Sequence, residues 1–97
     1  MATYIMLSRY SPQGMQNIKE SPARVEASRQ LMRGQGADLK QFYTVMGRYD
    51  MVAIVEAPDD ETIAKIALAI GSLGNVSTET LRAFGEDEFR KICATLP

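Results

Sequence analysis

The chain has 97 residues, 11 basic and 12 acidic side chains, one cysteine and neither histidine nor tryptophan. That length fits one domain of about 100 residues and leaves no room for a second. The near-balanced charge, with no basic block, argues against nucleic acid and anionic membranes as partners, and the missing histidine removes the commonest general base and transition-metal ligand.

Residues 2–10 read as a strand, with Tyr4, Ile5, Met6 and Leu7 apolar on both faces. Ser11-Pro12 and Ser21-Pro22 each pair an N-cap residue with proline at the first helical position. Because Pro22 fits poorly inside one long helix, a short helical segment near 12–19 and a main helix near 22–33 are expected. Val25, Ser28, Leu31 and Met32 form the inner stripe of the main helix, and Gly34 and Gly36 end it. Residues 38–46 read as a second strand, with Leu39, Tyr43 and Val45 on one face and Phe42 and Met46 on the other.

Gly47-Arg48-Tyr49-Asp50 is a tight-turn signal before a third strand, Met51 to Val55. Pro58-Asp59 stops that strand and starts a helix capped by Asp59. Ile63, Ile66, Ala67 and Ile70 follow helical spacing closely, and Gly71 and Gly74 close the helix. A fourth strand over 75–84 puts Val76, Thr78, Thr80, Arg82 and Phe84 on one face. The tail from Glu86 to Thr95 reads as a last helix with Phe89, Ile92 and Leu96 turned inward.

The order β-α-β-β-α-β predicts an α+β, ferredoxin-like fold: a four-stranded antiparallel sheet with helices on one face. Two helices cover only one face, yet both faces of these strands are apolar. A second copy of the same sheet is the economical cover for the other face, so a homodimer or higher homo-oligomer, a dimeric α/β barrel, is expected. The competing arrangement is a monomer whose C-terminal segment folds over the open face.

Polar side chains pointing into the barrel cleft are the candidates for ligand contact. One set is Tyr43, Arg48, Tyr49 and Asp50. Here an arginine can clamp a carboxylate, a tyrosine hydroxyl can donate to a carbonyl, and Asp50 can accept from Arg48 or from backbone amides. Gly47 and Asp50 read first as turn chemistry. The other set is Thr78, Thr80 and Arg82, which share one strand face and suit a small anion or amide, or simply an exposed edge. Arg9 and Tyr10 are weaker candidates of the same kind. Gly14 reads as a close-packing point rather than part of a phosphate loop.

Cys93 is the lone thiol, so no intramolecular disulfide forms, and a reduced cytoplasmic setting is the simplest expectation. It reads as buried or merely tolerated rather than reactive. The acidic runs Asp59-Asp60-Glu61 and Glu86-Asp87-Glu88 read as solvated helix starts rather than metal sites. Neither a signal peptide nor an apolar run of about 20 residues is visible. No cofactor is implied.

Taken together, Gly47-Arg48-Tyr49-Asp50, Gln13-Gly14, Ser21-Pro22-Ala23-Arg24, Tyr43, Pro58-Asp59 and Leu73-Gly74-Asn75-Val76 with Thr78, Thr80, Leu81 and Ala83 resemble the GYD-domain family. The resemblance runs from about Tyr4 to Leu96, implies a dimeric α/β-barrel fold and carries over no catalytic residue. The Gly-x-Tyr-Asp turn, the helix after it and the Val-x-Thr strand are also similar to the small-molecule domain of the leucine-responsive regulator family, which binds amino acids at subunit interfaces. Likeness to antibiotic-type monooxygenases and muconolactone isomerases is one of fold alone. Three functions follow as expectations: a binding or sensor module for a small organic ligand, a cofactor-free small enzyme working in the cleft, or a structural assembly piece.

Overall fold

Ser11 opens the first helical segment in the expected way: its hydroxyl accepts a hydrogen bond from the Gly14 amide at 3.0 Å, and Pro12 holds the first helical position. The computed structural model describes residues 1–97. The chain runs through β1 (Ala2–Tyr10), α1 (Pro12–Gln16), a 3-10 turn (Ile18–Glu20), α2 (Ser21–Gly34), β2 (Asp38–Thr44), β3 (Met51–Ala57), α3 (Asp60–Ser72), β4 (Val76–Ala83) and α4 (Glu86–Ala94). The four strands form one antiparallel sheet in the order β2-β3-β1-β4, with α2 and α3 packed on one face. This is the α+β, ferredoxin-like arrangement that the element order predicts.

The register decides which face each residue takes. Tyr4, Met6 and Ser8 of β1 lie opposite Val55, Ala53 and Met51 of β3, and opposite Arg82, Thr80 and Thr78 of β4. These positions face the helices. The core joins Tyr4, Met6 and Val55 from the sheet to Met32 of α2 and to Ile63 and Ile66 of α3. Burying a side chain of this size contributes roughly 1.5–3 kcal/mol. Asp59 caps α3 as expected, its carboxylate accepting from the Thr62 amide at 2.8 Å. Gly36, at φ +77°, takes the left-handed position that ends α2, while the Ala37 amide reaches back to the Met32 carbonyl at 2.9 Å.

Two expectations are corrected. The pairing of β2 slips between Leu39 and Gln41, a bulge that leaves Lys40 without a register partner in β3. Leu39 and Phe42, opposite Val55 and Ala53, therefore share the helix face, while Tyr43, opposite Val52, points to the other side. The plain alternation that groups Leu39 with Tyr43 fails at this residue. The second correction concerns α4. Every residue in it is exposed, with Phe89 at 58%, Ile92 at 42% and, just beyond it, Leu96 at 65%. Its apolar stripe does not turn inward, and the tail does not fold over the open sheet face. Cys93 within it is exposed.

The sheet face away from the helices carries Ile5 and Leu7 of β1, Val52 and Ile54 of β3, and Leu81 of β4 side by side. The β1 and β3 members are half-buried by their neighbours, and no helix of the chain covers them. No helix is long and apolar enough to cross a membrane.

Candidate functional site

The Gly47–Asp50 turn is built first for structure. Gly47 sits at φ +126°, a backbone angle that favours glycine. The Asp50 carboxylate accepts from the Tyr10 amide at 2.9 Å, and the Asp50 amide donates to the Ser8 carbonyl at 2.9 Å. Asp50 thus fastens the turn to the end of β1. The Tyr49 hydroxyl donates to the Glu79 carboxylate, and the Arg9 guanidinium lies 4.9 Å from the Tyr49 ring centre. These residues, with Ser77 and Thr78, border a shallow polar cleft of about 200 Å³. Arg48 is exposed and Tyr43 stands on the open sheet face, so neither reaches the helix side.

Thr78, Thr80 and Arg82 do share the opposite, helix-facing side of β4. They do not converge on one site, because four residues of strand separate Thr78 from Arg82 by about 13 Å. Arg82 belongs to the far end of the sheet. There it pairs with Glu88 at 3.7 Å and stacks on Phe84 at 4.4 Å and Tyr4 at 5.7 Å. Thr80 lies opposite Met6. Of the seven expected ligand contacts, Thr78 alone borders the large cavity of the molecule.

That cavity lies between α2, α3 and the sheet and has a volume of about 400 Å³. Fourteen of its twenty lining residues are hydrophobic, so it favours an apolar occupant. Met6, Leu39, Phe42, Met51 and Ala53 form the sheet wall, Val25, Leu31 and Met32 the α2 wall, and Ala69 and Ile70 the α3 wall. The six polar residues are Ser8, Ser21, Arg24, Ser28, Asn75 and Thr78, and Tyr10, counted among the fourteen, adds a hydroxyl. Tyr10 and Ser21 join hydroxyls at 2.8 Å.

Beside the cavity, α1 packs on the segment between α3 and β4, and Asn75 of that segment is one of the lining residues. The Ser11 hydroxyl donates to the Gly74 carbonyl at 2.6 Å, the Ser11 amide to the Asn75 carbonyl at 2.9 Å, and the Gln13 amide group to the Asn75 side chain at 3.0 Å.

Sequence reasoning gives Tyr10 as a weaker candidate and misses Ser8, Ser21, Arg24, Ser28 and Asn75. A signal is present. Ser8 and Tyr10 continue the alternation of Tyr4 and Met6, Ser21 opens the second Ser-Pro pair and Arg24 follows two residues after it.

Two tyrosines are held in their neutral form. The Tyr4 hydroxyl donates to the Asp60 carboxylate, which, with desolvation and the negative charge of Asp60, raises its pKa above the ordinary tyrosine value. Glu79 does the same for Tyr49. A raised folded-state value contributes stability that is complete below the unfolded tyrosine pKa and is lost as pH rises through the folded one. Chemical denaturation across the alkaline range is therefore expected to show stability falling above about pH 10. Tyr4→Phe should flatten that limb and Tyr49→Phe should flatten it further; an alkaline limb unchanged in both variants would remove this account of the two tyrosines.

A GYD domain model matches residues 4–93. A Thermus thermophilus protein named glutamine synthetase and cystathionine beta-lyase binding protein is 38% identical over 84 residues, 86% of this chain and 88% of its own length. The crystal structure of TTHA0845 from Thermus thermophilus superposes with a TM-score of 0.57 at 31% identity, covering 88% of this chain and 95% of that one. The turn that fastens β3 to β1, the sheet order and the match over nearly the whole chain agree, and the chain belongs to the GYD-domain family.

Proposed function

We propose that this chain is a non-catalytic binding module that works as a homo-oligomer and holds a small organic molecule between α2, α3 and the sheet. The observation that carries this reading is the apolar cavity of about 400 Å³, which lies within the size range of small-molecule sites. No carboxylate, thiol or imidazole borders it, so its lining offers orientation and burial rather than acid–base chemistry. The apolar open face of the sheet supports the oligomer, because a second copy would take Ile5, Leu7, Val52 and Ile54 out of water.

Thermal shift against a broad set of metabolites tests the ligand. A cavity ligand at a hundredfold excess over its Kd should add about 2.7 kcal/mol, or roughly 10–20 °C in Tm for a domain this small. A flat response across apolar alcohols, phenols, amides, amino acids and organic acids would sink the reading.

A second reading, docking on other proteins, is favoured by α4. Its exposed Phe89 and Ile92 form an apolar stripe that the chain itself leaves uncovered. The name of the Thermus relative, a binding protein for two enzymes, supports the same reading. Removing residues 86–97 should abolish any such capture while leaving ligand stabilisation in place.

A further inference from the structure

We propose that the cavity selects an uncharged ligand: an apolar body with one neutral hydrogen-bonding head, such as an alcohol, phenol or amide, and not an amino acid, carboxylate, phosphate or amine. The proposal rests on the binding reading above and names the chemistry of that same site.

Arg24 is the one charged residue on the cavity wall, and its guanidinium is already engaged. One terminal nitrogen donates to the Asn17 carbonyl at 3.2 Å, the other to the Gly14 carbonyl at 3.2 Å, and the Glu20 carboxylate lies 3.6 Å away. An anion in the cavity would compete with Glu20 and two carbonyls for that charge. A cation would find no carboxylate on the wall at all. Either ion would leave water without a dedicated counter-charge, which is costly in apolar surroundings.

A neutral head is better served. Ser8 and Thr78 stand opposite each other in the β1–β4 ladder, and both border the cavity, as does Ser28 of α2. A hydroxyl can donate or accept, so this group serves an alcohol, a phenol or an amide equally. The body then lies against Val25, Leu31, Phe42 and Ile70. The rule runs against the amino-acid ligands that the leucine-responsive regulator likeness implies.

The test uses the full chain and a neutral fluorescent probe, N-phenyl-1-naphthylamine, displaced at neutral pH by three compounds of one shape: 4-propylbenzamide, 4-propylbenzoate and 4-propylbenzylamine. The amide should displace the dye at a concentration at least about tenfold lower than the anion or the cation. Ser8→Ala combined with Thr78→Val should erase most of that advantage while dye binding persists, since it removes two hydroxyls and leaves the apolar walls. Benzoate or benzylamine matching the amide would overturn the neutral-ligand rule and leave the cavity reading standing. An amide advantage unchanged in the double variant, or dye that none of the three displaces, would overturn the hydroxyl assignment. Folded protein that binds no dye at all would defeat the cavity reading itself, and this proposal with it.

Discussion

Gly14→Ala is expected to cost about 3 kcal/mol of stability, a loss of roughly 12–24 °C in Tm for a domain of this size. Glycine inside a helix is normally worse than alanine by about 1 kcal/mol, so propensity alone predicts a gain. Contact reverses the sign. A Cβ at Gly14 would stand 2.0 Å from the Asn75 carbonyl oxygen and 2.9 Å from its carbon. Both atoms are backbone, and Asn75 is held by the Ser11 amide and the Gln13 side chain. The segment cannot yield without breaking those bonds. Calorimetry with and without a cavity ligand reads both effects, since the displaced Asn75 also borders the cavity. A Gly14→Ala protein as stable as the parent would mean that α1 does not pack on the α3–β4 connection in this way.

Ile54→Asp is expected to dissolve the homo-oligomer proposed above. Ile54 lies beside Ile5 in the middle of the open sheet face, opposite Gln41 of β2. In a twofold contact each substitution appears twice in the interface, so two carboxylates would be buried without partners. Leaving a charge buried and unpaired costs several kcal/mol, enough to weaken a dimer at least about a hundredfold. The monomer itself loses less, because no helix covers this face and Ile54 is only half-buried in the single chain. Circular dichroism should therefore stay native while light scattering reports single subunits. Leu68→Asp is the control: Leu68 is 74% exposed on α3, on the helix side of the sheet, and the change should leave assembly intact. Dissociation by both variants, or by neither, would show that the open face is not the contact.

The local chemistry of this fold is legible in the sequence because it is written in single residues. Ser11-Pro12 starts α1, Asp59 caps α3, Gly36 ends α2, and the spacing of Ile63, Ile66 and Ile70 fixes the buried side of α3. The bulge at Lys40 is not legible. An added strand residue carries no residue-type signature there, and its effect is to reverse the faces of everything before it relative to Tyr43. The stripe on α4 announces that the helix has an apolar side without saying whose surface meets it.

The candidate site is harder to read for a related reason. Both strand faces are apolar, so alternation does not tell which of Tyr43 and Thr78 meets the helices. The register separates them: Thr78 faces α2 and α3, and Tyr43 faces away. The cavity gathers side chains from Met6 to Thr78 across six elements, nearly all of them ordinary apolar or hydroxyl residues where they stand. Only their convergence makes a site, and convergence is a property of the fold.

Native mass spectrometry on protein released gently from cells tests the central claim most directly, since it reports subunit number and retained small molecules together. The expected result is a dimer or higher multiple carrying a reproducible added mass, which Val25→Trp, by filling the cavity from α2, removes without changing the subunit number. A bare monomer would contradict it, leaving the open sheet face and the cavity both without the occupants inferred for them.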